Sequence, residues 1–121
     1  MNGNTFGYYF TGTIDKLNDY IKSSNCFIFS LKSNGRLNGM KKFEEKENCK
    51  GLVIDDETSS CLFGIHGGFW IYKDCRKTNS NVSEQNVYFD YHRLSNIYLT
   101  RSAGQSNMEF TPNRITVIQM N

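Results

Sequence analysis

The chain has 121 residues, 38% of them hydrophobic, 14% aromatic and 21% charged, and 14 Lys and Arg against 12 Asp and Glu leave a formal net charge of +2. One domain with a packed core fits these values, and multi-domain, disordered, coiled-coil and collagen-like readings do not. The charge is far below the basic surplus of a dedicated nucleic-acid module.

No window approaches the roughly 18 apolar residues of a membrane span, and the opening MNGNTFGYYF has neither a basic nor an apolar leader region, so cytoplasm or nucleus is the expected location. Cys26, Cys49, Cys61 and Cys75 are widely and irregularly spaced, which predicts free thiols in a reducing compartment rather than disulfides.

Taken in chain order, the first predicted element is a short amphipathic helix over residues 13–23. Thr13 caps it, Asp15 suits its first turn, and Ile14, Leu17 and Ile21 form one narrow apolar stripe at i, i+3 and i+7. From Cys26 the period changes to two. Residues 26–31 read as a strand with Phe27, Phe29 and Leu31 on one face and Ile28 behind, followed by an Asn34-Gly35 hairpin signal. The return strand passes through Leu37 and Met40 to Phe43, before a solvated run of alternating charges.

Three more strands are predicted over residues 51–54, Cys61–Ile65 and Phe69–Tyr72, joined by the acidic turn-rich segment 55–60 and by His66-Gly67-Gly68. Residues 74–85 read as a long polar loop. Alternation returns over 86–91, with Val87, Phe89 and Tyr91 on one face, and residues 97–99 add a short strand. After the single proline, Pro112, residues 114–120 carry Ile115, Val117, Ile118 and Met120 on both faces, the pattern of a strand covered on both sides. These elements predict an α+β fold, mainly an antiparallel β-sandwich with one or two short flanking helices.

Chemistry-bearing constellations are sparse. Cys61, His66, Cys75 and His92 form the one clustered metal-type set, but CxxC and HxxxH are absent, so cysteines acting as small buried hydrophobes are expected and no metal or cofactor is. His66-Gly67-Gly68 has the look of a glycine-rich oxyanion loop without a GxSxG elbow, and a turn is the plainer reading. A Cys61–His66 or Cys75–His92 pair would be the route to a thiol enzyme or scavenger. The Asp55-Asp56-Glu57 run lacks the glycine spacing of a calcium loop. Tyr88, Tyr91, His92, Arg93, Tyr98 and Arg101 would make a stacking face if the chain were a nucleic-acid-binding regulator, although an aromatic-rich core accounts for them more simply.

Several segments in order resemble the TLDc domain, also called the oxidation-resistance or TBC/LysM-associated domain. They are Phe6-Gly7-Tyr8-Tyr9, CFIFSLK at 26–32, GGFWIYKD at 67–74, FDYH at 89–92 and the terminal EFTPNRITVIQM. The resemblance covers nearly the whole chain, residues 1–121 as a single domain, and its specificity lies in the order of these strand and turn patterns. It implies a β-sandwich with short helices that is not an enzyme, is linked to protection against oxidative stress and, in some members, binds the vacuolar proton-pumping ATPase. Members of the family are usually longer before the Phe-Gly pair, so the family's N-terminal segment is expected to be lacking here, leaving an open sheet edge through which copies associate. With no catalytic residue indicated, the candidate functional surface comprises His66, Gly67, Gly68, Asp90, His92 and Arg93.

Overall fold

A computed structural model of the chain describes residues 4–33, 38–74, 80–82, 88–90 and 109–120. In chain order the strands are β1 (Asn4–Tyr9), β2 (Tyr20–Ile21), β3 (Phe27–Ser33), β4 (Lys41–Glu44), β5 (Leu52–Ile54), β6 (Cys61–Ile65), β7 (Phe69–Tyr72), β8 (Ser80–Val82) and β9 (Glu109–Phe110). They form a three-stranded sheet ordered β1-β3-β4 and a six-stranded sheet ordered β2-β5-β6-β7-β8-β9. Every pairing is antiparallel.

The core lies where the sheets meet. Ile28 and Phe43 come from the smaller sheet, Leu52, Ile65, Phe69 and Ile71 from the larger, and Cys49 and Phe89 complete the cluster. Phe6 of β1 sets its ring against Phe69 of β7 at 5.1 Å, edge to face, an arrangement the ring quadrupoles favour. Residues 88–90 run antiparallel beside β4. Lys46 donates its N–H to the Tyr88 carbonyl and Asp90 to that of Glu44, both at 2.8 Å, on either side of a Glu45–Phe89 bridge.

This architecture corrects the α+β expectation: among the described residues the protein is all sheet, with no flanking helix. Residues 13–19 lack regular structure, Ile14 and Leu17 are more than half exposed, and Ile21 alone of the proposed stripe is buried, in β2. An 11-residue helix is marginal by itself, and a stripe that buries one residue does not hold it. A loop clamp competes instead. Asn18, in the left-handed region at φ 62°, donates its backbone N–H to Ile54 at 2.8 Å. Its side-chain amide grips Asp56 twice, accepting from the backbone N–H at 3.0 Å and donating to the carboxylate at 2.6 Å. Asparagine tolerates that conformation and offers the backbone a substitute for helical bonds.

Strand β3 is placed as expected, and the face that meets the core is the one carrying Ile28. Ile28 and Ser30 are fully buried, whereas Leu31 is half exposed and Phe27 and Phe29 are partly buried on the outer side. Alternation identifies the two faces without saying which meets the core. Phe27 is accommodated outside by Tyr9, stacked at 4.9 Å, and by the Lys42 ammonium 4.3 Å above its ring.

Residues 114–120 form no strand. Val117 is 88% exposed and Ile118 and Met120 more than 70%, because apolar side chains on both faces make a covered strand only where two layers enclose them. Strand β8 lies inside the segment expected to be a polar loop. The Asn34-Gly35 turn and the 97–99 strand fall outside the described residues, as do Val87 and Tyr91.

The inward face of β3 also carries the Ser30 hydroxyl into the core, where it has no hydrogen-bond partner among the described residues. A buried unsatisfied hydroxyl carries a desolvation cost, so Ser30→Ala is expected to raise stability by about 1 kcal/mol. Urea unfolding checks this, and a loss of stability would show that the hydroxyl is satisfied.

Candidate functional site around the β6–β7 turn

His66, Gly67 and Gly68 connect β6 to β7, and the Gly68 N–H closes the turn on the Ile65 carbonyl at 2.8 Å. Gly67 has φ 73°, and a Cβ there would lie 2.2 Å from the Tyr88 ring. Glycine is therefore required twice over, for the backbone conformation and for the approach of Tyr88.

That approach creates an aromatic cluster. The His66 ring lies 4.0 Å from the Tyr88 ring and 5.3 Å from Tyr20 of β2, and Tyr20 meets Trp70 of β7 edge to face at 6.4 Å. The Lys50 ammonium stands 5.8 Å from the Tyr20 ring. The imidazole is oriented by the backbone: Lys50 donates its N–H to Nδ1 at 3.0 Å. An accepting Nδ1 carries no proton, so Nε2 holds it and the ring is neutral in this arrangement. Burial, and then the neighbouring Lys50 charge, lower the His66 pKa from its usual 6.5.

The pH consequence follows from that direction. The unfolded chain takes up a proton at His66 near pH 6.5 while the fold resists it, so the stability linked to neutral His66 is present above that pH and declines as pH falls through 6.5 toward the lower folded value. Melting temperature followed through this window is expected to fall more steeply for the wild type than for His66→Gln. Superimposable profiles would remove the effect.

Beside the cluster sits a second network. The Glu45 side chain is only 3% exposed and accepts hydrogen bonds from the Tyr8 hydroxyl and the Lys22 ammonium, each at 2.6 Å. Lys22 also donates to the Lys46 carbonyl at 3.2 Å. Burial, reinforced by the Glu45 carboxylate, pushes the Tyr8 pKa well above the ordinary phenol value.

The Cys26, Cys49 and Cys61 thiols are free and buried. Cys49 Sγ donates to the His66 backbone carbonyl at 3.2 Å, and Cys61 Sγ lies 3.3 Å from the carbonyls of Phe63 and Ile71. Burial is the main cause that raises both pKa values to about 11. The imidazole of His66 is thus engaged by Lys50, Tyr20 and Tyr88, and Cys61 by the backbone of its own sheet, so the two do not form a hydrogen-bonded pair.

Of the expected surface, His66, Gly67 and Gly68 form this turn. Asp90 lies on the segment that carries Tyr88, exposed beside β4. His92, Arg93 and Cys75 lie outside the described residues. Sequence reasoning missed Tyr20, assigned to a helix, and Lys50 and Glu45, which carry no local motif. Among the described residues no three His, Cys, Asp or Glu side chains are grouped to hold a metal ion, and no helix is long and apolar enough to cross a membrane. Comparisons with protein-family models, curated proteins and solved structures find no match to the chain.

Proposed function

We propose that the protein is a non-catalytic, TLDc-like binding module of the oxidative-stress response, acting through the surface around the β6–β7 turn on a protein partner, with the vacuolar proton-pumping ATPase as the first partner to test. The supporting observation is the placement of the thiols among the described residues. A peroxide scavenger or thiol enzyme needs an exposed cysteine with a lowered pKa. Cys49 and Cys61 are buried, bonded to backbone carbonyls and shifted to about 11.

The test separates the classes. Cells lacking the protein are expected to survive peroxide poorly, and re-expression of either the wild type or a folded variant with Cys26, Cys49, Cys61 and Cys75 all changed to alanine is expected to restore survival. Rescue by the wild type alone would indicate thiol chemistry. Unchanged survival on loss of the protein would refute the stress role.

A further inference from the structure

We infer that Asn38-Gly39 is a site of spontaneous deamidation in the folded protein, a modification site that converts a neutral side chain into a carboxylate at the approach to β4. The chemistry is internal to the chain apart from water. The Gly39 backbone nitrogen attacks Asn38 Cγ, the N–Cγ bond forms as the Cγ–Nδ2 bond breaks, and ammonia leaves with the proton from the attacking nitrogen. Water then opens the resulting succinimide at either carbonyl to give aspartate or isoaspartate at position 38.

What limits this reaction in folded proteins is freedom of the two groups to meet. Here both residues are exposed and outside regular structure. Among the described residues, neither the Asn38 side chain nor the Gly39 N–H is engaged in a hydrogen bond. Gly39 adopts φ 74°, and nothing lies within 4 Å of the position a Cβ would take, so the surroundings of the Gly39 Cα are open. The absence of a Cβ on Gly39 also leaves the attacking nitrogen uncrowded. A contrast within the chain is Asn18, whose side chain is held by Asp56 at both its oxygen and its nitrogen. Each conversion lowers the formal net charge from +2 to +1.

Peptide mapping by mass spectrometry, on folded protein aged at mildly alkaline pH and on the same protein aged in urea, tests the inference. The expected result is aspartate and isoaspartate together at position 38, accumulating in the folded protein at a rate close to that in urea, with an acidic species of one less positive charge by ion exchange. Asn38→Gln is expected to abolish the change at this position. Gly39→Ala, which meets open space but is strained at φ 74°, is expected to slow it, with urea unfolding used to check that the variant is folded. Conversion in urea but not in the folded state, conversion to aspartate alone, or an unchanged rate in Gly39→Ala would each overturn the inference.

Discussion

Truncation of Phe89 to alanine is expected to lower the stability of the protein by about 3–5 kcal/mol, the range for removing a large aromatic side chain from a core. Phe89 is fully buried and stands between the sheets, edge to face with Tyr8 at 6.3 Å. Domains of this size are stable by only about 5–15 kcal/mol, so the variant will be close to unfolding at room temperature. The effect reaches the site as well. The Glu45–Phe89 bridge fastens the segment that carries Tyr88 to β4, and Tyr88 covers Gly67 and the His66 ring. Urea titration measures the loss, and a change below about 1 kcal/mol, the level of ordinary surface positions, would show that residues 88–90 do not contribute to the core.

The second large effect is expected at Glu45. Replacement by alanine removes the acceptor from the part-buried Tyr8 hydroxyl and the counter-charge from Lys22. Lys22 is 45% exposed and turns to water at little cost, whereas the part-buried Tyr8 hydroxyl loses its 2.6 Å acceptor. Loss of a hydrogen bond to a charged acceptor is worth about 1.5–3 kcal/mol, which sets the expected destabilisation. Glu45→Gln keeps a carbonyl acceptor and is expected to retain most of the stability. A double-mutant cycle with Tyr8→Phe isolates the pair, since the alanine substitution costs less once the hydroxyl is gone. Strict additivity would mean that the Tyr8–Glu45 bond contributes nothing.

The strands that form the site were legible where burial on one face imposes alternation. The Cys61–Ile65 and Phe69–Tyr72 strands coincide with their expected bounds, and His66-Gly67-Gly68 between them is the expected turn. The cluster built on that turn was not legible. Tyr20, Lys50 and Tyr88 are distant in sequence from one another and from His66, and they meet only because β2 pairs with β5 and residues 88–90 pair beside β4. The helix expected over 13–23 does not form, because a stripe of three apolar residues resembles an amphipathic turn equally well when two of them face water.

Composition and hydrophobic period by themselves determined that this chain is rich in short antiparallel strands with an aromatic core and sparse in catalytic motifs, because those properties are set residue by residue along the chain. Only the tertiary structure decided which face of β3 is inward, that residues 13–19 clamp as a loop, that His66 is held neutral among tyrosines, and which carbonyls the buried Cys49 and Cys61 thiols meet. Each of those depends on a partner from another strand, and pairing between strands is a property of the assembled sheets that no local period encodes.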